Sequence, residues 1–191
     1  MSTSKGFTLL ELLVALFIAI IIMTIAVPSF SRLINTTTMT SSVNTFMSDM
    51  RFARSEAVRR NGGVVMCRSA NPEAIDASCA AGTLAGWESG WIIFHDLDND
   101  GDRAVGEPLL RAQLPSNFIN SISEPGASTV FKFTATGRLG ATSATQLQFG
   151  KLPEFDSLVQ RMVCVNMSGR VRIALDGNGR ATGDALCSTD R

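Results

Sequence analysis

A chain of 191 residues with 17 basic and 17 acidic side chains has a formal charge of zero. It therefore lacks the global basic footprint of many nucleic-acid binders, and any polyanion binding must be local. The single histidine, His95, and the absence of C-x-x-C spacing among the four cysteines remove zinc-ligand and haem-attachment patterns.

Phe7 to Val27 is an apolar run of 21 residues, about 31 Å as a helix, which matches a bilayer core. Glu11 lies inside it, and the next charge is Arg32. A carboxylate at membrane depth costs roughly 2.5–3.5 kcal/mol, so such a residue needs a partner. An ordinary secretory signal has a core of about 7–15 apolar residues and a small-residue cleavage box after it. This run is longer, and VPSFSRLINTT follows it without an A-x-A box. The expectation is a cut before the run, which stays in the mature protein.

Gly6-Phe7-Thr8-Leu9-Leu10-Glu11 resembles the prepilin peptidase site of type IV pilins and type II secretion pseudopilins. The resemblance implies a leader over residues 1–6, cleavage after Gly6 on the cytoplasmic side and methylation of the new Phe7 amine. It also implies a single pass of the inner membrane by residues 7–28, with Lys5 cytoplasmic and the head periplasmic. Prepilin peptidase and other pilins or pseudopilins are the implied partners. Cleavage creates a cationic amine four residues from Glu11. In a filament, Glu11 can neutralise the amine of an adjacent subunit, and leaving either charge buried and unpaired costs several kcal/mol. Glu11 thus acts as a register device; the alternative is a carboxylate that snorkels to the headgroups.

The helix is expected to continue past Pro28, which removes one hydrogen bond and kinks it. Over residues 29–61 it becomes amphipathic. Val43, Phe46, Met47, Met50, Ala53 and Ala57 recur on one face, with Asn44, Ser48, Asp49, Arg51, Glu56 and Arg59 largely opposite. Asn61-Gly62 is a stop signal. One helix from about Phe7 to Arg60, on the order of 80 Å long, is the result. Seven short strand-like runs follow: GVVMCR, GWIIFH, PLLRAQL, TVFKFT, TQLQF, QRMVCVN and RVRIAL. One long helix followed by such runs indicates α+β, with an antiparallel sheet wrapped on the helix and a head domain over residues 62–191. An even cysteine count behind a membrane-targeting segment favours disulfides in an oxidising compartment. Near-neighbour pairing, Cys67 with Cys79 and Cys164 with Cys187, is expected among three possible connectivities.

FARSEAVRRN at the helix end, GWIIFHDLDNDG with LLR after it, FTATGRLG and MVCVNMSGRVR resemble the GspH/FimT family of minor pilins and pseudopilins, in order and over nearly the whole chain. The resemblance implies the type IV pilin-like fold and a low-abundance subunit near a filament tip that helps to prime assembly. The equivalent pseudopilin of type II secretion shares processing site and fold.

Three stretches could carry more. DLDNDGDRAVGE fits the calcium-loop pattern D-x-[DN]-x-[DN]-G-x5-E, with Asp96, Asp98, Asp100 and Glu107 as oxygen ligands and Gly101 at the sharp turn. An EF-hand loop sits between two helices, whereas these flanks are strand-like; the alternative is a polar hairpin loop whose Asp and Asn side chains bond their own backbone. In NMSGRVRIAL, alternation turns Val171 and Ile173 to the core and Arg170 and Arg172 outward, about 6.6 Å apart along the strand. Two guanidinium groups in a row suit neighbouring phosphates, and Gly169 permits close approach. GRVR resembles the C-terminal motif of DNA-binding minor pilins that serve natural transformation, with Arg138, Arg161 and Arg180 as possible extensions. Equally, both arginines could solvate an exposed strand or pair with Asp176 and Asp184. His95 has no catalytic pattern around it, so no enzyme is expected.

Overall fold

A computed structural model describes residues 6, 8–82, 86–116, 119, 121–124, 129–140, 145–150, 159–174 and 187, apart from the side chains of Ile25, Val27, Pro28 and Arg32. Lys5, Phe7, Asp176, Arg180 and Asp184 lie outside the described residues. The chain up to Thr37 forms one compact unit and Thr38–Arg191 a second.

A single helix, α1, runs from Leu9 to Arg60 through Pro28. Its start is set by Thr8, whose carbonyl accepts the Leu12 N–H at 3.2 Å and whose hydroxyl accepts the Glu11 N–H at 3.2 Å. Thr8-x-x-Glu11 has the residues of a capping box, in which the first hydroxyl serves an otherwise orphaned amide three residues on. At the other end, Asn61 takes a left-handed φ of 63° and the Gly62 N–H reaches back to the Ala57 carbonyl at 2.7 Å. This is the Schellman closure that Asn-Gly favours.

The unit from Thr38 onward holds the core. Met39, Val43, Phe46, Met50, Ala53 and Ala57 of α1 are buried against two four-stranded antiparallel sheets rather than the one expected. The first contains β1 (Val64–Arg68), β2 (Trp91–His95), β3 (Leu109–Gln113) and β5 (Val130–Phe133), in the order β3-β2-β1-β5. The second contains β4 (Ile122–Ser123), β6 (Thr145–Phe149), β7 (Arg161–Val165) and β8 (Val171–Ala174), in the order β4-β6-β7-β8. The seven expected runs supply seven of these strands. The eighth, β4, has two residues, too short to show alternation.

Phe46 sits where the sheets meet. Its ring packs edge-on against Trp91 (5.4 Å between centroids) and Phe131 of the first sheet and Phe149 (5.6 Å) of the second. Trp87, in the short 3-10 turn Trp87–Ser89, packs on Phe46 at 5.7 Å. Such aromatic pairs add about 0.5–1.5 kcal/mol beyond area burial.

β1 and β2 are buried on both faces. Val64, Met66, Trp91 and Ile93 face α1; Val65, Cys67, Ile92 and Phe94 form a second cluster with Ala77 and Cys79 of the following loop. The Cys67–Cys79 disulfide joins strand to loop, with 5.5 Å between Cα atoms. Cys164 and Cys187 form the other disulfide, on the side of the second sheet that carries Met162 and Ala174.

Candidate functional site

Gly6 and Glu11 are exposed within the single chain. Glu11 stands at the third position of α1, where its negative charge also favours the positive end of the helix dipole. The apolar side chains around it are bare: Leu9 is 79% and Phe17 67% exposed. The apolar stretch of α1 is not buried within the protein. By length and composition this stretch is able to cross a membrane.

The arginine hairpin joins β7 to β8. The Gly169 N–H donates to the Asn166 carbonyl at 2.9 Å, and the Asn166 side-chain oxygen accepts from the Arg170 N–H at 3.0 Å and the Ser168 hydroxyl at 2.7 Å. A second turn repeats this backbone pattern, with the Gly137 N–H on the Thr134 carbonyl (2.8 Å) and the Thr134 N–H on the Arg138 carbonyl (2.9 Å). The two turns abut: the Leu139 N–H donates to the Met167 carbonyl at 3.0 Å. Gly169 has φ +72°, and a Cβ there would collide with the Gly137 carbonyl oxygen. The close approach expected of Gly169 is therefore made to the protein's own backbone.

The cross-strand register pairs Val171 with Val165, Arg172 with Cys164 and Ile173 with Val163. Paired residues share a face, so Arg172 lies on the disulfide side and Val171 on the core side. Exposure departs from the expected alternation. Arg170 is exposed, but Arg172 is half-buried and engaged within the chain, and Ile173 is 37% exposed rather than buried. The reason is position: β8 is an edge strand, so its core-side residues are covered from one flank only. Arg138, exposed on the neighbouring turn, shares Arg170's place after the turn glycine. Arg161 turns its guanidinium to the Val159 and Gln160 carbonyls (3.2 and 2.9 Å).

The acidic loop links β2 to β3 and is thus a hairpin loop, not a helix–loop–helix. Asp96 Oδ1 accepts the Asn99 N–H (2.6 Å), Asp98 Oδ1 that of Asp100 (3.2 Å) and Asp100 Oδ1 that of Asp102 (2.7 Å). Glu107 folds back inside, accepting the Leu97 N–H at 2.6 Å and the Ala104 N–H at 2.9 Å. Both loop ends are buried, Asp96 at 3% and Glu107 at 6% exposure. Carboxylate oxygens of Asp96, Asp98 and Glu107 lie within 4.8 Å of one another; Asp100 is not in this group. Burial raises the Asp96 pKa first, and the Glu107 charge adds to it against the Asn99 amide and Lys132. His95, ending β2, is half-buried and packs beside Gly63.

Two side chains expected on the polar face of α1, Asp49 and Glu56, are buried. Asp49 is 2% exposed. It accepts the Trp91 indole N–H at 2.8 Å and an Arg111 N–H at 2.5 Å, and Arg111 in turn lies over the Phe52 ring at 4.1 Å. No periodicity marks such a group, because its partners come from β2 and β3. Glu56, on the same expected face, is also buried, and hydrogen bonds from Arg59 (2.5 Å) and then Arg60 (2.8 Å) hold its pKa below the usual carboxylate value.

Residues 42–169 match the family described as Type II transport protein GspH, and residues 1–27 match the prokaryotic N-terminal methylation motif. Two crystal structures of the Pseudomonas aeruginosa type IV minor pilin FimU, in different space groups, share the fold with TM-scores of 0.52 and 0.53. Each is 17% identical; the alignments cover 70% and 71% of this chain and 90% and 87% of FimU. No curated protein matches in sequence.

Proposed function

The chain belongs to the GspH family, whose members are structural subunits rather than enzymes, and we propose that it is a minor pilin of a type IV pilus. In this reading prepilin peptidase cuts after Gly6, Phe7 is methylated, and residues 7–28 hold the subunit in the inner membrane until it enters a filament at or near the tip. The observation that carries the proposal is the bare apolar half of α1, most of it inside the methylation motif: it needs lipid or other helices around it. Glu11 then pairs with the terminal amine of a neighbouring subunit.

The capping geometry dictates the experiment. Glu11→Gln can still serve the helix start but carries no charge. Sheared filaments are immunoblotted for the subunit, with membrane levels as the control. Glu11→Gln and Glu11→Leu are both expected to reach the membrane and be depleted from filaments. Normal incorporation of Glu11→Gln would reject the charge pair.

DNA capture through Arg170 and Arg172, on the turn that Gly169 shapes, is the finer part of the proposal. Its support is that Arg170 and Arg138 are both exposed, each following the glycine of one of two abutting turns. Arg170→Ala combined with Arg172→Ala should lower DNA retention about tenfold and flatten its salt dependence while piliation persists. Unchanged retention rejects this part and favours a pseudopilin of type II secretion, the second reading, which the family description itself supports.

A further inference from the structure

We propose that the hairpin loop Asp96–Glu107 is a calcium site in which Asp96, Asp98 and Glu107 bind one ion. The converging carboxylates supply hard oxygen ligands and three formal negative charges, a set suited to a divalent cation. Calcium bonds to oxygen at about 2.3–2.6 Å, so two ligands across one ion stand up to roughly 5 Å apart. The 4.8 Å limit on the oxygens of this group falls inside that span. Magnesium, with bonds of about 2.0–2.1 Å and a strict octahedron, favours fewer carboxylates and more water.

An orphaned atom points independently to a ligand. Asp96 is 97% buried, being 3% exposed, and its Oδ2 has no hydrogen-bond partner among the described residues. Leaving a carboxylate oxygen buried and unmatched is costly, and a cation among the three side chains would remove that cost. Lys132, the nearby cation, directs its ammonium to the Asp100 carbonyl at 2.7 Å.

The rest of the loop is already arranged. Glu107 uses one lone pair on each oxygen for backbone amides and keeps others for an ion. Gly101 has φ +94°, and a Cβ there would run into the Lys132 side chain. The Arg103 guanidinium donates to the Ala77 carbonyl at 2.8 Å, and the Gly101 carbonyl lies 3.7 Å from Cys79 Sγ. These contacts tie the acidic loop to the loop closed by Cys67–Cys79. Because its flanks are strands, an ion here would fasten the β2–β3 hairpin to that loop instead of swinging two helices apart.

The test uses the full chain in detergent, stripped with chelator and titrated with calcium chloride by calorimetry, with melting followed in parallel. One ion per chain is expected, together with a rise in Tm of a few degrees at millimolar calcium and a much smaller one at equal magnesium. Asp98→Asn, at an exposed position, should keep the metal-free Tm and lose at least about tenfold in affinity. Asp96→Asn should lose as much, whereas Asp102→Asn, outside the carboxylate group, should bind normally. Absence of both heat and Tm shift at about 5 mM calcium, far above extracellular-type dissociation constants of roughly 0.1–1 mM, would overturn the proposal. So would unchanged affinity in Asp98→Asn combined with Asp96→Asn.

Discussion

Within α1, two stretches of one continuous helix live in different surroundings. From Leu9 to Ile34 the large apolar side chains that the structure describes are exposed, while from Met39 to Ala57 the core side chains are buried almost completely. The first stretch is apolar on every side and no single sheet could cover it; the second has one face for two sheets. Both stretches are α-helical, the first without the one backbone bond that Pro28 cannot make. The lesson is that helix formation here is separate from burial; under the proposed function, lipid and other subunits cover the first stretch.

The largest contrast between the stretches should come from paired truncations, read by urea unfolding of the full chain in detergent through Trp87 and Trp91 fluorescence. Phe46→Ala should cost about 3–5 kcal/mol, because it empties the point where both sheets meet. Leu13→Ala, at a side chain 58% exposed, should change head stability by less than about 0.5 kcal/mol. Similar losses at both positions would break the comparison.

A smaller effect sharpens it. Asp49→Ala leaves the buried Trp91 N–H without an acceptor, while Arg111, 41% exposed, can turn to water. A loss of about 1–3 kcal/mol is expected, with little further loss when Arg111→Ala is added. Fully additive losses would mean that Asp49 and Arg111 act separately.

The smallest effect is pH-dependent and belongs to the last turns of α1. Glu56 has its pKa depressed by Arg59 and Arg60, so its contribution is complete above the unfolded carboxylate value of about 4.3 and disappears as pH falls through the folded one. Wild type should therefore exceed Glu56→Gln in stability at neutral pH, and the gap should close on acidification. A gap that stays constant down to about pH 2 would assign the difference to packing.

Local chemistry was sufficient for much of this architecture. The apolar run, the Asn-Gly stop and the positions of Val43, Phe46, Met50, Ala53 and Ala57 are written in spacing and turn residues, which act over a few neighbours. The acidic loop is equally local: its ligand types and its glycine sit at fixed offsets. What required tertiary structure was everything decided by a partner distant in the chain. Asp49 is buried because Trp91 and Arg111, 42 and 62 residues away, arrive with matching donors. Division into two sheets and the exposure of Ile173 at an edge depend on strand order, to which alternation along one strand is blind. Gly169 is needed where it is because another turn, carrying Gly137, packs against it. Short-range periodicity dictates which side of an element is apolar; only the folded chain decides what comes to lie against that side.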